Sequence, residues 1–250
     1  MTSERLEGLQ RHYGKQFNTP FSISLKHGYL YTQAPYVVTR ALDSRLLEWE
    51  LRGCQVRWES EKENLAVNGA VHVKPYQLPP EMLEDVFFTG PFFRFAFVRD
   101  PFVRILTAFL DHIQRKQPPA KLVFVHFGLD PNDPDSRVDF AQFLEFLEAT
   151  ASNKRRWNPA WRPMAAALRP EVITYDIIGR MERFDEDIER INARLGGGLT
   201  LGGITASQGD EAGQHLSDHY TETQRDKVRD LYARDFARFR YAKHAKAERK

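Results

Sequence analysis

Apolar positions along the first hundred residues switch between two periods. Tyr29-Leu30-Tyr31-Thr32 has strand composition and runs toward Pro35, with Tyr36-Val37-Val38 just beyond it. From Ala41 to Arg52 the period lengthens. Leu42, Leu46 and Trp49 recur at helical spacing, Asp43, Arg45, Glu48 and Glu50 take the polar positions, and Gly53 closes the segment. Strand, tight loop, helix is the opening unit of many α/β nucleotide-binding folds. Phe92 to Val98 is nearly continuous apolar chain, as in an interior parallel strand. Asp100 is a good N-cap and Pro101 suits the first helical position. A helix is therefore predicted from there to about His112, burying Ile105, Leu106, Phe109 and Ile113.

Further along, Val71-His72-Val73 reads as a short strand and Pro79-Pro80 as a helix start. Lys121 to Phe127 reads as another strand between proline-rich breaks, and Phe140, Phe143, Leu144 and Leu147 mark an amphipathic helix. Val172 to Ile178 is predicted as a third convincing strand, followed by a helix from Arg183 to Leu195. The last prediction is one long helix over Thr221 to Tyr241, with Val228, Leu231, Tyr232, Phe236 and Phe239 inward.

A chain of 250 residues supports one substantial core. Lys and Arg number 36 against 34 Asp and Glu, a net charge of +2 that argues against a large nucleic-acid footprint. Basic residues do gather from Arg238 to Lys250, read as a solvated tail. Cys54 is alone, so no intrachain disulfide forms, and the chain has neither an HExxH motif nor a close His/Cys cluster, so no metal is expected. No run approaches membrane-spanning length and Met1 to Arg5 leads into no apolar signal core. The expectation is a cytoplasmic protein of bacterial type, with residues 1–25 as an extension, 26–241 as one domain and 242–250 as a basic tail.

Two stretches suit anions. Arg99 ends a strand just before a helix start, near free N–H groups and the positive end of a helix dipole. Thr107 lies eight residues on, about two turns into that helix, where its hydroxyl adds a donor. Arg104, one turn in, reads as the weaker, solvent-facing candidate. A strand-end salt bridge for Arg99 is the competing reading. The second stretch is the loop Pro35, Tyr36, Val37, Val38, Thr39 and Arg40, whose backbone amides would cradle an anion although it lacks the Gly-rich, Lys-terminated P-loop pattern. Thr39 as a simple helix cap competes with that.

The run Phe95-Ala96-Phe97-Val98-Arg99-Asp100-Pro101-Phe102-Val103-Arg104-Ile105-Leu106-Thr107-Ala108-Phe109 resembles the 3′-phosphate-binding motif of sulfotransferases that use 3′-phosphoadenosine 5′-phosphosulfate (PAPS). The pattern is similar to the carbohydrate sulfotransferases of the HNK-1 and chondroitin type. Tyr175 to Phe184 with the acidic helix after it, and Tyr220-Thr221-Glu222 through Tyr241, resemble the same family in the same order. The resemblance implies a P-loop-like, three-layer α/β fold, a central mostly parallel sheet flanked by helices, with PAPS across its strand ends. It assigns Arg99 and Thr107 to the 3′-phosphate and residues 35–40 to the 5′-phosphosulfate, with adenosine 3′,5′-bisphosphate as product and a saccharide or small metabolite as acceptor.

Two departures bear on chemistry. The family expects Pro-Lys where this chain has Pro35-Tyr36, so the missing charge falls to Arg40, Lys26 or Lys74. Ala160 stands in Asn158-Pro159-Ala160-Trp161-Arg162 where many relatives carry His. The alternative to an active sulfotransferase is therefore a noncatalytic relative that binds nucleotide or glycan. Sulfuryl transfer needs a general base, for which His72 is the first choice by resemblance, with His27, His112 and His126 open. Trp161 and Arg162 are candidates for the acceptor wall, or for anchoring their own loop.

Overall fold

The computed structural model describes residues 3–37, 40–53, 71–200 and 216–241. They fall into two compact units, Met1–Val98 with Leu168–Gln208, and Arg99–Ala167 with Gly209–Lys250.

In the first unit, α1 (Glu4–Tyr13) precedes β1 (Phe21–Ser24) and β2 (Tyr29–Thr32), and a loop leads into α2 (Arg40–Glu50). Later come α3 (Pro80–Glu84), a π-helical turn over Asp85–Thr89, and β3 (Phe93–Val98). The sheet runs in the order β1-β2-β3-β4, where β4 is Ile177–Arg180. β1 is antiparallel to β2, and the other pairs are parallel. This α/β architecture with a mostly parallel sheet agrees with the fold class expected above. Residues 1–25, expected as an extension, supply α1 and β1 to this unit.

Alternation along the strands sorts side chains onto two faces. Phe21, Ile23 and Leu30 share one, where Leu6, Leu9 and Tyr13 of α1 pack with Leu83, Val86 and Phe87. Arg94 points to the same side. Its guanidinium donates to the carbonyl oxygens of Val86, Phe92, Asp85 and Gly90, satisfying the π-helical turn and the residues after it. Tyr29, Tyr31, Phe93, Phe95 and Phe97 line the other face, with Trp49 of α2 stacked on Tyr29 and Phe184 against Phe97. Phe184 opens a further helix that ends at Arg194.

β4 is shorter than the run expected from Val172. The Val172 and Ile173 N–H groups turn back to the Arg169 carbonyl, so pairing starts only after Asp176, whose carboxylate takes the Arg94 N–H at 2.8 Å. Likewise Val71–Val73 makes no strand but a single antiparallel bridge, Val73 to Ile23 on the outer edge of β1.

The second unit holds α4 (Pro101–Ala108), continued by a π-helical segment over Phe109–Gln114, then α5 (Lys121–His126), α6 (Phe140–Ala149) and the start of α7 (Met164–Leu168). In chain order, the helix Phe184–Arg194 of the first unit is α8. It is followed by α9 (Leu216–His219), α10 (Glu222–Leu231) and α11 (Ala233–Arg238). Lys121–His126 is thus helical rather than extended, and Phe127 lies in the turn that closes the helix. Pro118–Ala120 forms a 3-10 turn that leads into a helix, and a continuous apolar run does not separate a strand from a buried helix by period alone. The predicted long C-terminal helix breaks at Tyr232, whose hydroxyl donates to the Trp161 carbonyl at 2.6 Å.

Candidate functional site

In the first unit, β2 ends at Thr32 and the chain turns through Gln33, Ala34, Pro35, Tyr36 and Val37. Ala34 and Val37 are buried, and the Gln33 amide donates to Asp43 Oδ1 at 3.0 Å, tying the loop's start to the first turn of α2. Tyr36 has φ of 58°, a left-handed conformation that costs a non-glycine residue on the order of 1 kcal/mol. Strain of that kind gathers where backbone is shaped for a ligand, and left-handed turns direct N–H groups toward one side. Val38 and Thr39 lie outside the described residues. Arg40 begins α2, and only its backbone is described.

Lys74 and Asp43 flank this junction, and Lys26 lies at the far end of α2. Lys26 Nζ donates to the carbonyls of Glu50 and Arg52, at the carboxyl end of α2. Lys74 Nζ donates to the Phe21 carbonyl at 2.8 Å, opposite Thr32 in the β1–β2 register. Burial lowers the Lys74 pKa, and the nearby Asp43 opposes that shift. Asp43 itself is pushed up from 3.8 to about 6, chiefly by burial, against the Gln33 hydrogen bond and the Lys74 charge.

His72 is 2% exposed, with Nε2 at 2.7 Å from the Tyr29 hydroxyl. Burial, aided by the Lys74 charge, lowers its pKa to about 4, so the ring is neutral at pH 7. Tyr29 is held well above 10 by burial and by Glu50, so it stays protonated.

In the second unit, Asp100 caps α4 by accepting the Phe102 N–H at 2.8 Å. Arg99, immediately before that cap, is 8% exposed, and its backbone N–H meets Met164 Sδ at 3.5 Å. Thr107 is buried on α4 and its hydroxyl donates to the Val103 carbonyl at 2.8 Å, so its lone pairs, rather than its proton, are turned outward. Arg104 does not face solvent as expected. It is 1% exposed and donates to the Pro159 carbonyl at 3.1 Å.

Trp161 is buried, edge-on to Phe143 and His112, and Arg162 donates to the Trp157 carbonyl at 3.0 Å. Ala160 is buried as well, its N–H on Asn158 Oδ1 at 2.9 Å. Asp235 accepts the N–H groups of Met164 and Ala165 at 2.7 and 2.8 Å, fixing the start of α7 after this loop. Sequence reasoning gave Asp43, Gln33 and Asp235 no role. Only Asp235 carried a signal, an acidic residue on the buried stripe with Tyr232, Phe236 and Phe239. Among the described residues no group of three or more His, Cys, Asp or Glu is placed to hold a metal ion, and no helix is long and apolar enough to cross a membrane.

Comparison with known proteins adds the following. The model of the Sulfotransferase family matches residues 29–242. Carbohydrate sulfotransferase 14 of Danio rerio is 30% identical over 128 residues, 48% of this chain and 34% of that protein. Carbohydrate sulfotransferase 12 of Mus musculus is 29% identical over 113 residues, 39% of this chain and 27% of that protein. The Xenopus laevis carbohydrate sulfotransferase 12 is 26% identical over 168 residues, covering 60% and 40%. The chain thus spans between 27% and 40% of the length of these relatives. No solved structure matches it significantly.

Proposed function

The chain belongs to the sulfotransferase family, and on that premise we propose that it transfers a sulfuryl group from PAPS to a saccharide hydroxyl. The observation that carries this reading is Arg99. It stands one residue before the N-cap of α4, at the positive end of that helix's dipole, where a guanidinium suits a phosphate dianion. Arg99 is assigned the 3′-phosphate, joined by Thr107 once its hydroxyl proton turns from the Val103 carbonyl to the anion, and residues 35–40 the 5′-phosphosulfate, with Arg40 among the donors there. In the reaction the acceptor hydroxyl gives up its proton, its oxygen bonds sulfur, and the bond from sulfur to the phosphate oxygen breaks to release adenosine 3′,5′-bisphosphate. His72 is the base assigned, neutral through the physiological range. Arg162 faces the acceptor in this reading, and buried Trp161 acts by holding the loop that carries it. The names of the carbohydrate sulfotransferase relatives support the saccharide acceptor.

Calorimetry with adenosine 3′,5′-bisphosphate tests the proposal. Wild type binds saturably, and Arg99→Ala weakens binding roughly 10- to 100-fold, the loss of charge-assisted hydrogen bonds. No binding by wild type, or equal binding by the variant, refutes it. Tyr36 and Ala160, where the family pattern has Lys and His, favour a second reading in which nucleotide binds without transfer. Acceptor-dependent turnover of sulfur-labelled PAPS rejects that reading.

A further inference from the structure

The tyrosine at position 36 leaves the phosphosulfate end without the lysine of the family pattern, and three cations were open to replace it. Lys26 is excluded by position. Its ammonium is fastened to the Glu50 and Arg52 carbonyls at the carboxyl end of α2, about 15 Å along the helix from Arg40. Lys74 lies at the opposite end.

Three observations fix its location. Its ammonium donates to the Phe21 carbonyl, and Phe21 pairs with Thr32, the last residue of β2. The side chain also lies within electrostatic reach of Asp43, in the first turn of α2. Asp43 in turn holds Gln33, the first residue of the loop. In parallel α/β sheets, anions bind beyond the carboxyl ends of strands and at helix amino termini, and this junction is both.

The backbone that carries Lys74 is also pinned. Val73 exchanges both bridge hydrogen bonds with Ile23, at 2.9 and 3.2 Å, and the Lys74 N–H is held by the Gln77 side chain at 2.8 Å. Of the three ammonium donors, one is engaged by Phe21. We propose that Lys74 is the lysine that meets the 5′-phosphosulfate end of the donor at the junction of β2, the 33–37 loop and α2, with Arg40, which opens α2 there, as a further donor, an inference that rests on the sulfuryl-transfer reading. There it would stabilise the charge that develops on the leaving phosphate oxygen.

The test uses two nucleotides and the full chain. Lys74→Gln removes the charge while its amide can still donate to the Phe21 carbonyl. It is expected to weaken adenosine 3′,5′-bisphosphate about 10-fold in calorimetry, the loss of one charge-assisted contact. Adenosine 3′-monophosphate, which lacks the 5′ group, is expected to bind wild type and variant alike. Lys74→Arg should recover most of the bisphosphate affinity. Equal weakening of both nucleotides, or of neither, overturns the assignment. So does full recovery in the double variant Asp43→Asn, Lys74→Gln, because Lys74 would then serve only to neutralise Asp43. A wild type that binds neither nucleotide refutes the sulfuryl-transfer reading and this inference together. Weakening of neither nucleotide by Lys74→Gln, with the wild type still binding both, refutes the inference alone.

Discussion

Replacing Asp235 with Ala removes both acceptors that hold the first turn of α7. The carboxylate is fully buried and takes the Met164 and Ala165 N–H groups at 2.7 and 2.8 Å. Hydrogen bonds to a charged acceptor are worth about 1.5–3 kcal/mol each, and alanine leaves both donors buried without a partner. Arg104, also buried, loses the negative charge that faces it. Opposing these losses, the variant no longer buries a carboxylate, and burial is the largest influence on Asp235, raising its pKa. The balance is a destabilisation of about 3–4 kcal/mol. For a chain of this size that corresponds to a fall in Tm of roughly 6–16 °C. Thermal melts followed by circular dichroism, with urea titrations alongside, measure it. Asp235→Asn keeps one acceptor oxygen and should lie about midway. A loss below about 1 kcal/mol for the alanine variant would refute the argument that this carboxylate organises the 157–165 loop.

Gly179→Ala would place a Cβ 2.5 Å from Phe97 Cε1 and 3.1 Å from Asp187 Cβ, between β4 and α8. Overpacking should cost about 1–3 kcal/mol in urea denaturation, and wild-type stability would contradict the close approach. Asp43 and His72 should give opposite pH signatures. The folded chain holds the Asp43 proton more tightly, so that group's contribution is full below 3.8 and lost as pH rises to about 6. The folded chain sheds the His72 proton, so its contribution is present above 6.5 and lost as pH falls to about 4. The stability of Asp43→Asn relative to wild type should therefore grow as pH rises from about 4 to 6, and that of His72→Asn as pH falls from about 6.5 to 4. Urea midpoints across this range, parallel to those of wild type for either variant, would contradict the burial that causes these shifts.

Local signals carried much of the fold. The β2–loop–α2 unit, β3 and the capped start of α4 are written in short-range patterns: strand composition, helical spacing, and Asp100-Pro101 at a helix amino terminus. The order of family-like segments likewise makes the sulfotransferase family legible in the sequence alone. Expectations failed where a distant partner decides. Nothing around Val172 announces that Arg94 and Asp176 will exchange hydrogen bonds before the strand begins, and the last helix breaks at Tyr232, whose hydroxyl bonds the distant Trp161 carbonyl.

The same division runs through the site. Residue identity alone placed Arg99 at a helix start and raised the question of the missing lysine, since both depend on neighbours in the chain. Which lysine lies at the loop depended on the β1–β2 register and on the bridge that carries residue 73 to the sheet edge. Burial of His72 beside Tyr29, and the opposed pKa shifts of His72 and Asp43, also required long-range packing. Capping and periodicity are energies between near neighbours and can be read along a line. Desolvation and ion placement are set by what the folded chain brings within a few ångströms, and those neighbours are chosen by topology.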